Sequence, residues 1–180
     1  MNADAVPVIE TARLRLQGPR KEDFAAFAAM WARHEVTKEI SGEPLPPEES
    51  WRRLLRNAGL WPVCGYGYWH VFERESGAFV GQVGFADFQR ELTPPLTGMP
   101  EIGWAISPDY QGKGYASEAA LGAIQWGDKV LSAERMSCII GINNTPSIRI
   151  AEKCGFSFVT TTEYHGSDIK IYHRPIARRS

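Results

Sequence analysis

The sequence has few cysteines and no long apolar run, and these two shortages exclude whole classes of protein. It contains three cysteines, Cys64, Cys138 and Cys154, and none forms a CxxC pair. We therefore expect neither a disulfide framework nor a cysteine metal site, and we predict reduced thiols in a cytoplasmic protein. No stretch approaches the roughly 18 apolar residues that a membrane-spanning helix needs. The first residues also lack the basic and then apolar pattern of a secretory signal.

An excess of charge of one sign is missing as well. Lysine and arginine number 20 and aspartate and glutamate 21, which gives a net charge of −1. This balance argues against a nucleic-acid or membrane partner, although it allows a small basic pocket. With 180 residues, 43% of them hydrophobic, the chain can bury a core without disulfides or metals. We predict a single domain over residues 1–180.

The periodicity of apolar residues predicts a chain of mixed strands and helices. The helix that starts near Pro47 is predicted to pack through Trp51, Leu54, Leu55 and Ala58. Predicted strands are 11–16, 68–73, 79–86, 101–106, 135–142, 157–163 and 169–174, and the other predicted helices are 21–33, 116–131 and a short one in "PSIRIAEKCGF". This order indicates an α/β layered fold with a mixed sheet.

The segment "QGKGYA", Gln111–Ala116, carries the clearest chemical signal. It lies between a predicted strand and a predicted helix, whose first N–H groups have no internal partner and lie at the positive end of the helix dipole. Gly112 and Gly114 allow close approach of the backbone, and Lys113 adds positive charge. An anion site is therefore predicted, with a simple capping turn as the alternative. The pattern matches neither a Walker A loop nor a Rossmann fingerprint.

Two motifs resemble signatures of the GNAT superfamily of N-acetyltransferases. The pattern Gln-x-x-Gly-x-Ala of Gln111–Ala116 is similar to the family's acetyl-coenzyme A loop. Further along, "NNTPSIRIAEKCGF", Asn143–Phe156, resembles the second signature, an Asn-x-x-Ser followed by a short helix and Glu-Lys-x-Gly-Phe. The opening "IETARLRL" and the strand "EIGWAI" resemble the RimJ/RimL-like branch, which contains the ribosomal-protein alanine acetyltransferases.

The resemblance implies a fold and a cosubstrate. The implied fold is a mixed, mostly antiparallel sheet of about six to seven strands, flanked by helices and splayed between strands 101–106 and 135–142. The implied cosubstrate is acetyl-coenzyme A, with no metal; its pyrophosphate would meet the loop amides and its pantetheine arm the splayed gap. The implied binding residues are Trp104, Ala105, Ile106, Gln111, Gly112, Lys113, Gly114, Tyr115, Ala116, Asn144 and Ser147. Alternatively, Asn144 serves only as a turn residue before the short helix.

The resemblance also implies direct transfer of the acetyl group to a primary amine, which must first lose a proton. Glu101 and Glu163 are the candidate bases, directly or through water, and each has a solvated strand carboxylate as its alternative role. Ser147 is the candidate proton donor to the leaving thiolate, with helix capping as its alternative. Many family members carry a tyrosine four residues after this serine, where this chain has Ala151.

The sequence leaves the acceptor open. The aromatic residues around Trp61 and Tyr66 and the proline-rich loop 92–100 are predicted to border it. The resemblance favours a protein or peptide N-terminal amine. A small-molecule amine, such as an antibiotic, a polyamine or an amino acid, and a non-catalytic acetyl-coenzyme A sensor are the alternatives. The protein is expected to be a monomer or a homodimer.

Overall fold

One eight-stranded sheet runs through residues 6–177, the part of the chain that the computed structural model describes. The strands are β1 (Ile9–Glu10), β2 (Leu14–Gln17), β3 (Tyr68–Glu73), β4 (Phe79–Ala86), β5 (Glu101–Ile106), β6 (Arg135–Gly141), β7 (Ser157–Tyr164) and β8 (Ser167–Pro175). The helices are α1 (Phe24–Trp31), α2 (His34–Thr37), α3 (Pro47–Cys64), α4 (Tyr115–Val130) and α5 (Thr145–Lys153). The strands lie in the order β1-β2-β3-β4-β5-β6-β8-β7.

The sheet is splayed at its centre, as predicted. All neighbouring strands are antiparallel except β5 and β6, which are parallel and paired only at Glu101 and Ser137. Beyond Glu101 the two strands diverge, so the β6-facing edge of β5 borders a gap. The predicted mixed, mostly antiparallel sheet is confirmed. It has eight strands because a short strand, β1, precedes the predicted strand 11–16, and Thr11 turns the chain between β1 and β2 by donating its N–H to the carbonyl of Leu14 at 2.9 Å.

Small residues set the position of α4 against the sheet. Ala119, Ala120 and Ala123 are fully buried. Gly127 leaves so little space that an added Cβ would lie 3.1 Å from the ring of Phe85. Because short side chains let the helix axis come close to the strands, α4 is held tightly with its N-terminus just beyond the end of β5.

Most of the aromatic residues near the end of α3 belong to the core and do not border a cleft. Trp61, Trp69 and Trp126 pack edge to face, with ring centroids 4.7, 5.1 and 5.7 Å apart. The indole of Trp61 donates a hydrogen bond to the carbonyl of Tyr68 at 3.0 Å. The helix also continues through Pro62 to Cys64. Proline lacks only one N–H there, and Gly65 ends the helix with φ 76°.

The buried face of α3 differs from the predicted one. Leu54 is buried as expected, but Leu55 is 51% exposed. Asn57 is fully buried instead, and its side-chain amide donates to the Oε1 atom of Gln82 at 2.9 Å. This buried polar pair sets the rotation of α3 about its axis, and it turns the side chains of Arg53 and Arg56 towards the splayed part of the sheet.

Two further properties concern the whole described chain. Across residues 6–177, every helix is too short or too polar to span a lipid bilayer. All three cysteines carry free thiols.

We expect substitution of Gly84 by alanine to lower the free energy of unfolding by about 2–3 kcal/mol. A Cβ on this β4 residue would lie 2.3 Å from the carbonyl oxygen of Gly67 and from the Cα of Tyr68, both backbone atoms that cannot rotate away. Gly59→Ala in α3 is the matched control, because no atom of the described residues beyond its own helix backbone and chain neighbours lies within 4 Å of its Cβ position. It should stabilise the helix by about 0.5–1 kcal/mol. Urea denaturation measures both, and equal effects would contradict the close packing.

Candidate active site

A cleft of about 790 Å³ opens where β5 and β6 diverge. Its floor comes from β5 and β6, one wall from α3 and residues 38–42, and the opposite wall from the start of α5 and the β7–β8 turn. Of the residues predicted from the sequence, the cleft brings together Glu101, Trp104, Asn144 and Ser147. The splay and this cleft are therefore the same feature, because the missing strand pairing leaves the space.

The segment Gln111–Ala116 lies just beyond β5 and begins α4. Gly112 and Gly114 have φ values of 76° and 79°, a left-handed conformation that glycine adopts without strain. Among the described residues, no acceptor is found for the N–H groups of 112–117; the first to bond back is Glu118, to the carbonyl of Gly114 at 3.1 Å. Within residues 6–177, no side chain caps the N-terminus of α4. These free donors at the positive end of a helix suit an anion such as a phosphate.

The acidic residue in the first turn of α4 does not compete with that anion, because Glu118 is already paired. Its Oε2 lies 2.7 Å from the Nε of Arg13, and its Oε1 accepts from the hydroxyl of Thr11 at 2.6 Å. Partial burial alone would raise the pKa of Glu118, but these hydrogen bonds hold it below the ordinary value. A second guanidinium N–H of Arg13 donates to the carbonyl of Lys113 at 2.9 Å and ties the residue just before β2 to the loop.

Asn144 and Ser147 lie together at the start of α5. The Oδ1 of Asn144 accepts the backbone N–H of Ser147 at 3.2 Å, so Asn144 is the helix N-cap. Within residues 6–177 the side-chain N–H groups of Asn144 and the hydroxyl of Ser147 have no hydrogen-bond partner. Capping is thus done by Asn144, which leaves the serine hydroxyl free to act in the cleft.

Glu101 is held in the cleft by a two-pronged ion pair. It is 7% exposed, and both of its oxygens accept from Arg90, at 2.7 and 2.9 Å. Arg90 also donates to the hydroxyl of Tyr164 at 3.1 Å. Burial alone would lower the pKa of Arg90, but the contacts with Glu101 raise it above its ordinary value. The arrangement fixes a carboxylate at the narrow end of the gap, beside the one β5–β6 pairing.

The other predicted residues lie outside the cleft lining. Glu163 is exposed and pairs with Asp168 in the β7–β8 hairpin, while its neighbour Tyr164 faces the cleft. Glu101 and Glu163 are therefore not brought together. The side chains of Ala105 and Ile106 are buried in the core on the two faces of β5, which leaves only their backbone to meet a ligand.

Several cleft residues were not identified from the sequence, namely Arg53, Arg56, Gln82 and Arg90. Tyr68, which belongs to the aromatic residues predicted to border the acceptor, also lines the cleft. Burial, and then the charge of Glu101, raises the pKa of Tyr68 to about 12. Its hydroxyl lies beside Gly103, where an added Cβ would come within 2.5 Å. Arg53 and Arg56 are three residues apart on α3, and this spacing could have indicated that they share one face of the helix.

The family match and the similar proteins agree with one another. A family described as an acetyltransferase (GNAT) domain matches residues 13–157. YkkB of Bacillus subtilis strain 168, an uncharacterized protein, is 32% identical over 176 residues, which cover 97% of this chain and 98% of YkkB. The uncharacterized N-acetyltransferase YnaD of the same strain is 35% identical over 147 residues, 82% of this chain and 81% of YnaD.

Solved structures share the fold. A GnaT-family acetyltransferase from Bordetella pertussis has a TM-score of 0.82 at 27% identity, covering 93% of this chain and 99% of that one. The ribosomal L7/L12 alpha-N-protein acetyltransferase RimL, solved in complex with coenzyme A, has a TM-score of 0.80, covering 96% of this chain and all (100%) of RimL. At 17% identity, the second likeness is one of fold alone.

Proposed function

The chain belongs to the GNAT acetyltransferase family and is an N-acetyltransferase, and we propose that it transfers the acetyl group of acetyl-coenzyme A directly to a primary amine in a ternary complex. The observation that carries this proposal is the row of unpaired amides at the start of α4, next to a sheet that opens into a cleft. An anion site at the start of α4, together with the gap between β5 and β6, fits a long ligand with a diphosphate at one end. A single GNAT domain over 1–180 stays our prediction.

The residues present fit acetyl-coenzyme A. The amides of 112–117, without partners among the described residues, match a pyrophosphate, and the positive charge of Lys113 lies in the same loop. The edge of β5 that diverges from β6, at Trp104, Ala105 and Ile106, is our proposed site of backbone contacts with the amides of a pantetheine arm, and the carbonyl of Ile106 there already accepts from the side-chain amide of Gln111 at 3.0 Å. The free side-chain N–H groups of Asn144 offer further donors. When bound, acetyl-coenzyme A supplies an acetyl group activated as a thioester.

Charged and hydroxyl groups in the cleft can serve the proton transfers. An attacking amine must be neutral, so its ammonium form has to lose a proton. We propose that Glu101 holds the amine and takes that proton directly or through a water, with Arg90 fixing its orientation. Ser147 is our proposed donor to the departing thiolate, since its hydroxyl is free in the described structure and lines the cleft. Glu163 stays a predicted base that the cleft geometry does not favour.

The acceptor we propose is a protein or peptide N-terminal amine, in keeping with the resemblance to the RimJ/RimL-like branch. A small-molecule amine is the second candidate, because the cleft lies between α3 and the β7–β8 turn and can enclose a compact substrate. We place the enzyme in the cytoplasm, where its three free thiols stay reduced. A monomer or homodimer acting without a metal stays our prediction.

The experiment that tests this function combines binding and turnover. Calorimetry should show binding of acetyl-coenzyme A, and a screen of N-terminal peptides and small amines should show amine-dependent release of free thiol. Absence of binding would overturn the proposal. Binding without turnover of any amine would favour the sensor alternative.

We expect Ser147→Ala to lower kcat by about tenfold while weakening the binding of acetyl-coenzyme A by less than about threefold. A positioned proton donor typically contributes more than this, but a serine hydroxyl is a weak acid and water can partly replace it. Because no protein group described here bonds this hydroxyl, the free energy of unfolding should change by less than about 0.5 kcal/mol. Steady-state thiol release and calorimetry measure the two effects. An unchanged kcat would leave water as the donor.

A further inference from the structure

Three arginines line the cleft, but the described residues supply a carboxylate to only one of them. Arg90 pairs with Glu101, whereas Arg53 and Arg56 form no ion pair within residues 6–177. The guanidinium of Arg53 lies over the ring of Trp31 at 4.1 Å, and that of Arg56 lies 5.2 Å from the ring of Phe88. Stacking positions both groups without neutralising them.

This surplus of positive charge lines the α3 wall of the cleft, where Arg53 is partly buried and Arg56 is exposed. Arg53 is half-buried, and burial, followed by the charge of Arg56, lowers its pKa to about 10. The remaining charged groups of the lining, Lys38, Glu39 and Asp168, are exposed at its mouth. A partly buried guanidinium next to a second cation is costly, and an anion bound between Arg53 and Arg56 would relieve that cost.

A neutral donor points into the same space. Gln82 lines the cleft, and its Oε1 is occupied by the side-chain amide of Asn57 at 2.9 Å. That contact fixes the orientation of the glutamine amide and leaves its N–H groups to donate. Two guanidinium groups and an amide form a set of donors that matches a carboxylate or a phosphate.

Resting on the proposed function, we propose that the acceptor is a primary amine that carries an anionic group of its own, a carboxylate or a phosphate, which Arg53 and Arg56 bind. The two ends of such a molecule meet opposite charges, since its ammonium end faces Glu101 and its anionic end faces the two unpaired arginines. This arrangement orients the amine towards the gap. It also disfavours polyamines, which would place several positive charges next to two uncompensated guanidinium groups.

The test compares acceptors in pairs that differ in the anionic group. Suitable pairs are β-alanine and its amide, O-phosphoethanolamine and ethanolamine, and short peptides with glutamate or glutamine as the second residue; spermidine is added as a polyamine. Thiol release with saturating acetyl-coenzyme A gives kcat/KM, and calorimetry with the coenzyme A-saturated protein gives binding without turnover. In at least one pair the anionic member should exceed its neutral partner about tenfold to a hundredfold. The pair that shows this difference tells whether the bound anionic group is a carboxylate or a phosphate. It also tells whether the acceptor is a peptide or a small molecule.

Two adjacent arginines of α3 provide a matched variant and control. Arg53→Gln should lower kcat/KM for the anionic acceptor about tenfold to a hundredfold and leave its neutral partner within about threefold. Arg52→Gln is the control, because Arg52 is exposed and pairs with Glu48 and Glu49 outside the cleft. It should change neither value. The affinity for acetyl-coenzyme A should be the same in both variants, which shows that each is folded.

The outcomes separate this inference from the function on which it rests. If neutral amines or spermidine are acetylated as well as anionic ones, or if Arg53→Gln affects both members of a pair equally, the inference is wrong and the acetyltransferase function stands. If no compound is acetylated, the calorimetric arm still decides: anionic compounds must bind more tightly than neutral ones, and that difference must disappear in Arg53→Gln. Failure of acetyl-coenzyme A to bind at all would contradict the proposed function itself.

Discussion

Replacement of Gly112 by aspartate should weaken the binding of acetyl-coenzyme A by about a hundredfold, whereas asparagine at the same position should weaken it by less than about tenfold. The two side chains have nearly the same shape, so their difference isolates charge. A carboxylate beside the amides of 112–117 would occupy the donors and repel a diphosphate. At an effective dielectric constant of about 20, repulsion over a few ångströms amounts to about 3 kcal/mol, and a hundredfold change in Kd corresponds to about 2.7 kcal/mol.

Position 112 suits this comparison because it can accept a side chain. Its φ is 76°, a region that aspartate and asparagine tolerate better than other non-glycine residues, and no atom lies within 4 Å of an added Cβ. The stability of the folded apo protein should change by less than about 1 kcal/mol, because the strain of a side chain at positive φ opposes the favourable effect of a negative charge near a helix N-terminus. The same substitution thus leaves the apo protein folded and impairs binding.

Isothermal calorimetry at low and high salt measures this effect, with thermal unfolding of the apo protein in parallel. The difference in Kd between the two variants should become smaller as the salt concentration rises, because the loop is exposed and its charges are screened. Equal Kd values for Gly112→Asp and Gly112→Asn would mean that the diphosphate does not meet these amides. If the affinity for acetyl-coenzyme A falls only in variants whose apo form also unfolds at a lower temperature, the substitution has damaged the loop instead.

Replacement of Glu101 by glutamine should lower kcat/KM at least a hundredfold and lower the free energy of unfolding by about 3 kcal/mol. The loss of rate follows because the cleft loses the carboxylate that we propose takes the proton of the amine. The loss of stability follows because Arg90 is largely buried, with its side chain 20% exposed, and would keep its charge without a partner. Removing one member of a buried ion pair typically costs about 3–5 kcal/mol.

A double-mutant cycle separates these two effects. Arg90→Met removes the orphaned charge, so Glu101→Gln combined with Arg90→Met should recover much of the stability and none of the activity. Urea denaturation and thiol release measure the four proteins of the cycle. If the double variant regains activity along with stability, Glu101 acts only through the fold. Glu163→Gln serves as the comparison, since this exposed residue should change kcat/KM by less than about threefold; a larger loss would make Glu163 the base.

The parts of the site that follow from short local patterns were predictable. The turn at Gly112 and Gly114 and the helix after it are encoded within a few residues, because positive φ and unpaired N–H groups are local properties. The N-cap before Ser147 is local as well. The splay came from the resemblance between two motifs and a known fold. Periodicity alone does not say which strands lie side by side.

The acceptor side of the cleft was less predictable because contacts distant in sequence decide it. The face of α3 depends on the buried pair of Asn57 with Gln82, and a hydrophobic pattern treats Asn57 as polar surface. That is why Leu55 was placed in the core and Arg53 was not placed in the cleft. In β7, a bulge between Phe158 and Thr160 shifts the register and reverses the alternation of faces beyond it. Simple alternation therefore does not tell which of Glu163 and Tyr164 turns inward.

The divergence of β5 from β6 also has a mechanical consequence. The five strands on one side and the three on the other are joined in the sheet by the pairing at Glu101 and Ser137, with Ser137 also donating its N–H to the carbonyl of Pro100 at 3.0 Å. A ligand laid along this seam clamps the two blocks to each other. A ligand that binds across both blocks stabilises the folded sheet, so saturation with substrate should raise the protein's free energy of unfolding.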